Sequence, residues 1–238
     1  MYFQGLLFYT GSMGIIRDMR EPYTALESWF YDRFIAPGVT RFLQEYQHLL
    51  PRTLPVGARV LDVGCGGGQN ARFVARTYPG VHVTGLDLSA EQIARAGAHP
   101  DARGGRLTWL VGDAAAMDGA GLEDNSYDLV YSIASIKHWP DPRRGVAEMV
   151  RVARPGGQIV VVEADRACHL RDAARFVKMV GVPRPLAPLA LAGFRTWVAG
   201  QSLTVDEARA LFSGLPVKDA RVESVPGAPT FLMSATVA

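Results

Sequence analysis

The 238-residue sequence has only two cysteines, Cys65 and Cys168, too few for a disulfide framework and in no spacing that would hold a metal ion. It also lacks a concentrated run of one charge. Its 25 Lys and Arg face 23 Asp and Glu, a net charge of +2, and pairs such as Arg143-Arg144 are too short to form a nucleic-acid surface. No apolar stretch approaches the roughly 20 residues of a membrane span, and Leu6–Tyr9 is far shorter. Internal repeats and low-complexity tracts are missing as well. These absences set the expectations of a reduced, cytoplasmic setting, no nucleic-acid or membrane partner, no metal, and a monomer or homodimer.

What is present suits a folded enzyme. Hydrophobic residues make up 48% and charged residues 20%, enough for a sizeable core in one large α/β domain with an appended lid. Met1-Tyr-Phe-Gln-Gly5 resembles the tail of a cleavable expression tag and Gly11-Ser-Met13 a cloning scar, so residues 1–12 are set aside from the fold. Glu21 to Leu50 reads as helical, with Leu26, Trp29, Phe30 and Phe34, then Phe42, Leu43, Tyr46 and Leu50 near helix spacing. Pro37-Gly38 divides this segment.

From Arg59 short apolar runs alternate with helical stretches. Strands are expected at Arg59–Val63, Val81–Leu86, Leu107–Val111, Leu129–Ser132 and Gln158–Glu163, the last announced by Arg154-Pro-Gly-Gly157. Ser89-Ala-Glu-Gln92 has the form of a capping box, and Thr204–Ser213 that of an amphipathic helix capped by Thr204. Helical crossovers imply a parallel sheet with helices on both faces. At the end, Arg221–Val225 and Phe231–Val237 are joined by Pro226-Gly-Ala-Pro229, a loop too short for a crossover, so this pair must be antiparallel. An apolar, proline-bearing insertion occupies about 167–200.

The chemistry concentrates at the ends of the first three strands. The first strand carries Asp62 and runs into glycines 64, 66, 67 and 68, then into a helix. Such a turn lets backbone approach a ligand closely, and the helix N-terminus behind it favours negative charge. Asp87 ends the second strand roughly 20 residues past the glycines, the spacing for an acid that accepts from ribose hydroxyls. Asp113 follows the third strand in Gly112-Asp113-Ala114, where a carboxylate can accept from an adenine amine. Glycine loop, ribose acid and adenine acid thus fall on three successive strand ends.

This set resembles the class I S-adenosylmethionine-dependent methyltransferases, in particular their small-molecule, type 11 group, over Val60 to about Ala164. The resemblance implies a Rossmann-like, seven-stranded, mostly parallel sheet with a C-terminal antiparallel hairpin, forming a methyltransferase domain over 58–238. Residues 13–57 and the insertion would form its helical lid. It implies S-adenosyl-L-methionine as cofactor and a small, partly apolar acceptor, methylated on oxygen, nitrogen or carbon. The glycine motif falls on Asp62, Gly64, Cys65, Gly66 and Gly68, Cys65 contributing backbone. The ribose acid falls on Asp87 with Leu88 against the adenine, and the adenine pair on Asp113 and Ala114. Backbone at Ser132-Ile133 would face the methionine part, and Tyr31 would close over the cofactor.

Other readings stand beside these. The frame Gly66-x-Gly68-x-x-Ala71 also fits a nicotinamide-dependent oxidoreductase, although the strict frame from Gly64 fails at Gln69. A regulatory protein that binds the cofactor without catalysis fits too. Asp62 could simply hold the glycine loop, Asp113 could be a turn residue, and Asp128 reads as structural. His138, in Ser135-Ile-Lys-His-Trp-Pro140 after the fourth strand, is either a general base or a residue that packs beside Trp139 and shapes the pocket.

Overall fold

Seven strands, the central ones apolar and buried, pair into one sheet in a computed structural model that describes residues 41, 42, 45, 47–101 and 105–238. They are β1 (Arg59–Val63), β2 (His82–Asp87), β3 (Leu107–Val111), β4 (Tyr127–Ile133), β5 (Ala153–Ala164), β6 (Val217–Ser224) and β7 (Thr230–Val237). Their order is β3-β2-β1-β4-β5-β7-β6. The first five run parallel, and β7 lies antiparallel between β5 and β6. The expected architecture, closing hairpin included, is the one observed.

The helices are α1 (Gln69–Thr77), α2 (Ala90–Ala98), α3 (Pro142–Val152), α4 (Leu170–Met179), α5 (Ala187–Gly193) and α6 (Val205–Ala210). Among the described residues no helix is long and apolar enough to cross a membrane. Strands covered on both faces need apolar residues at consecutive positions, and β1 supplies Val60, Leu61 and Val63, all fully buried. Leu61, Val63, Val130 and Val161 pack on one face with Val146 and Met149 of α3. Val60, Leu129, Tyr131 and Val162 pack on the other with Ala71 and Val74 of α1. Each buried aliphatic side chain contributes about 1.5–3 kcal/mol.

The departures from expectation are local. Arg154–Gly157 is a bulge inside a longer β5 rather than a turn before it. Tyr127 pairs with Ala153 and Leu129 with Gln158, so the residues between loop out around Gly156 at φ 76°. Asp128 anchors that bulge, pairing with Arg154 and accepting from Arg59 N at 2.7 Å, the structural role expected of it. Thr204 caps α6 in a reciprocal box with Glu207, but the helix stops at Ala210 instead of Ser213. The Ser89 box is only half made: Ser89 Oγ accepts from Gln92 N, whereas Ser89 N donates to Asp87 instead of to the Gln92 side chain. The insertion is helical, comprising α4, α5 and a π-helical turn at Phe194–Val198.

Candidate cofactor site and acceptor edge

The glycine loop owes its shape to three different demands. Gly64, Gly66 and Gly68 all have left-handed backbone, at φ 76°, 51° and 76°. A Cβ on Gly68 would lie 2.3 Å from Cη2 of Trp109, and one on Gly64 would lie 1.8 Å from Ser135 Oγ. Those two positions are glycine because other side chains fill the space. A Cβ on Gly66 would meet nothing within 4 Å, so this residue faces open space where a ligand can approach. Gly64 N and Cys65 N both donate to Leu86 O, at 2.7 and 3.0 Å, tying the loop to β2. Cys65 is buried, which pushes its thiol well above the usual range, so its contribution here is backbone and packing.

Around that opening the carboxylates are arranged unevenly. Asp87 receives Gly66 N at 2.8 Å on one oxygen and Ser89 N at 2.9 Å on the other. Burial raises its pKa, and these two amides pull it back. It therefore fastens the loop as well as standing at the expected strand end. Asp113 accepts from Ala115 N at 2.8 Å, a local turn bond that leaves its second oxygen available. Leu88 is 45% exposed at the same edge, and Ala114 is buried against the core. Asp62 is fully buried, and neither of its oxygens has a hydrogen-bond partner among the described residues. Burial pushes its pKa up to about 7, against the lowering influence of the nearby Tyr131 hydroxyl. Ser132 is buried with its hydroxyl likewise unpartnered, and Ile133 is buried opposite it on the other face of the sheet. Tyr31 lies outside the described residues.

The ends of β4 and β5 are built differently. Ala134 adopts a left-handed φ of 57°, a strained conformation for a residue with a Cβ. The turn that follows is held by a buried ion pair: Lys137 Nζ donates to Glu163 Oε1 at 3.0 Å and to Ala134 O at 2.9 Å. Glu163 also receives Lys137 N and, at 2.7 Å, Ala164 N. Trp139 donates Nε1 to Ser135 Oγ at 3.1 Å and lies where a Cβ on Gly145 would sit, fixing the turn against α3. His138 stands half-buried between these two anchors.

Sequence reading missed Trp109, Tyr131, Lys137 and Glu163. A glutamate ending an otherwise apolar strand was the available signal for the ion pair. The insertion packs a small core of its own from Ala173, Val177, Phe194 and Ala199. Phe176 joins it to Phe42 at 6.2 Å between ring centroids and to Phe194 at 5.1 Å, and Arg175 pairs with Glu45 at 2.6 Å. A shallow crevice of about 150 Å³ between Phe42, Phe176, Met179 and the Gly227–Pro229 loop touches none of the glycine-loop residues.

Comparison with known proteins agrees with this geometry. Residues 61–161 match the family model described as a methyltransferase domain. A 2-methyl-6-phytyl-1,4-hydroquinone methyltransferase of Synechocystis is 40% identical over 113 residues, 47% of this chain and 33% of that protein. Sterol 24-C-methyltransferase ERG6B of Gibberella zeae is 34% identical over 142 residues, 58% of this chain and 36% of that protein. The chain thus spans about a third of the length of these two relatives. Among solved structures, a SAM-dependent methyltransferase from Aquifex aeolicus superposes with a TM-score of 0.63 at 16% identity, covering 91% of this chain and all of that one. The [4+2]-cyclase SpnF gives 0.52 at 20% identity, over 91% of this chain and 96% of that one. The strand order, the site at the carboxyl edge and these matches agree: residues 61–161 are a methyltransferase domain, and the chain has the fold of the S-adenosylmethionine-dependent methyltransferases.

Proposed function

We propose that the chain transfers a methyl group from S-adenosyl-L-methionine to a small, partly apolar molecule. The observation that carries this reading is the unpaired, buried Asp62 carboxyl beside the one loop glycine that opens to space. The donor set suits the cofactor: Asp62 for a cationic end, the loop at Gly64–Gly68 and the backbone of Ser132-Ile133 for the methionine part, Asp87 for ribose hydroxyls, Leu88 for an aromatic face, Asp113 and Ala114 for an adenine edge. Tyr31 completes the set as the residue that closes over it. When bound, the cofactor supplies a methyl group already activated by its sulfonium. The protein's own task is then to hold a nucleophile about 3–3.5 Å from that carbon and in line with the departing sulfur.

His138 takes the acceptor's proton in this reading. It sits on a turn held by the Lys137–Glu163 pair and by Trp139, so its position is set by rigid neighbours. Residues 13–57 and 167–200 form the lid of a methyltransferase domain at 58–238, supported by the Phe42–Phe176–Phe194 contacts. The relatives named above act on a sterol and a phytyl-substituted hydroquinone, which supports an apolar acceptor. The protein would work in the cytoplasm, as a monomer or homodimer and without a nucleic-acid partner.

The [4+2]-cyclase SpnF shares the fold, so the fold by itself does not establish methyl transfer and the cofactor must be tested directly. Calorimetric titration with S-adenosylhomocysteine and with NAD tests the cofactor, and binding of NAD alone would overturn the proposal. With an acceptor found by screening, His138→Ala should lower kcat about 10²-fold or more. Turnover unchanged across a pH series removes the base role.

A further inference from the structure

We infer that Tyr131 is a positioning residue, its hydroxyl aimed at the Asp62 carboxylate so as to hold it for a cationic ligand group arriving at the glycine loop. The inference rests on the proposed cofactor reading and deepens it. Asp62 and Tyr131 are direct partners in the parallel register of β1 and β4. Side chains two residues apart share a face of a strand. Val60 and Leu129, each two residues back, belong to one cluster, so Asp62 and Tyr131 project on the same side. Both residues are 0% exposed, and among the described residues the two Asp62 oxygens and the Tyr131 hydroxyl all lack a partner within hydrogen-bond geometry.

A carboxyl and a phenol buried together with unmet hydrogen-bonding capacity are costly to maintain, and three such atoms at one point mark a place built for something to arrive. The rest of the surroundings narrows what that is. Asp87 on β2 adds negative charge, the Ala71 amide at the start of α1 offers one donor, and Cys65 is buried beside them. Tyr78, just past the end of α1, has its hydroxyl committed to Pro51 O. Arg72, the cation that α1 brings near, donates Nη1 to Gly67 O at 2.8 Å. A net negative, poorly solvated spot next to the open face of Gly66 suits a primary ammonium. Tyr131 supplies the donor that keeps the carboxylate oriented and charged for it.

The sign of the pH dependence follows. Burial holds the Asp62 carboxyl near 7 instead of 3.8, so its neutral form favours the fold at low pH and that advantage fades as pH rises toward 7. Binding needs the charged carboxyl and the protonated amine together, so affinity rises with pH through about 7 and falls again where the ligand's ammonium loses its proton. Removing the Tyr131 hydroxyl removes a lowering influence and moves the rise to higher pH.

The test uses the full chain, calorimetry from pH 6 to 9, and two probes: S-adenosylhomocysteine, which carries the ammonium, and 5′-methylthioadenosine, which lacks it. Tyr131→Phe keeps the buried ring, so folding is retained. It should weaken S-adenosylhomocysteine about tenfold at pH 7, the size of one hydrogen bond to a charged group that closes only when the ligand arrives, and shift the rise of its pH profile upward. Affinity for 5′-methylthioadenosine should stay the same. Asp62→Asn should abolish the rise near pH 7 and leave only the limb set by the ligand's own ammonium. Equal loss for both probes, or a Tyr131→Phe profile identical to that of the unmodified protein, overturns the inference while leaving the cofactor reading intact. If the unmodified protein binds neither probe, the cofactor reading fails and takes the inference with it.

Discussion

At the end of β1 a buried carboxyl is left without a partner, whereas at the end of β5 one is satisfied in place. Asp62 has no partner among the described residues, while Glu163, equally buried, receives three donors. Both are carboxyls at the same edge of one sheet, two strands apart. The difference separates a group with unmet hydrogen-bonding capacity, which we propose a ligand completes, from a group that fixes backbone. A buried carboxyl therefore says little about function until its donors are counted.

Removing each of the two carboxyls should act in opposite directions. Glu163→Ala strands the Lys137 ammonium in a site where its side chain is only 5% exposed, and should cost about 3–5 kcal/mol in urea unfolding. Replacing both partners with apolar residues of similar size should recover most of that loss. Asp62→Asn should instead stabilise the ligand-free protein above pH 7, by about 2–4 kcal/mol, because it removes the ionisation of a carboxyl that burial has raised to about 7. At pH 4 the gain should vanish. If Asp62→Asn destabilises at pH 8 as Glu163→Ala does, the contrast between the two edges is wrong.

The same contrast explains what could be read from the chain alone. The strands that carry the site follow from local pattern, and β1 and β3 fall at Arg59–Val63 and Leu107–Val111 as expected. The placement of Asp62, Asp87 and Asp113 at the carboxyl ends of three successive strands was legible because the apolar runs and the glycines that follow mark where each strand stops. Trp109, Tyr131 and Glu163 were not, since each acquires meaning only from a partner brought in by parallel register: Gly68 and Gly85 for Trp109, Asp62 for Tyr131, Lys137 for Glu163. In sequence, Tyr131 is one more apolar residue of a buried strand. The bulge at Arg154–Gly157 escaped for a related reason. Pro-Gly-Gly signals a break in pairing, and whether the strand resumes on the same partner depends on Tyr127 and Asp128 opposite.

The loop glycines give the finest version of the comparison, because one residue type meets two demands two residues apart. Gly68→Ala places a Cβ 2.3 Å from a Trp109 ring carbon, and that ring is wedged as well over Gly85, so it has little room to retreat. Overpacking together with left-handed strain should cost about 2–4 kcal/mol, or roughly 4–16 °C in Tm for a chain of this size. Gly66→Ala brings the same added methyl into open space, and its cost is the backbone conformation alone, about 1 kcal/mol. Its larger effect should appear in calorimetry with S-adenosylhomocysteine, where the methyl intrudes on the ligand's side of the loop. Gly68→Ala should lose affinity only to the extent that the fold is lost. Equal melting temperatures for the two variants would mean that Trp109 yields, and that the glycine at 68 serves the ligand after all.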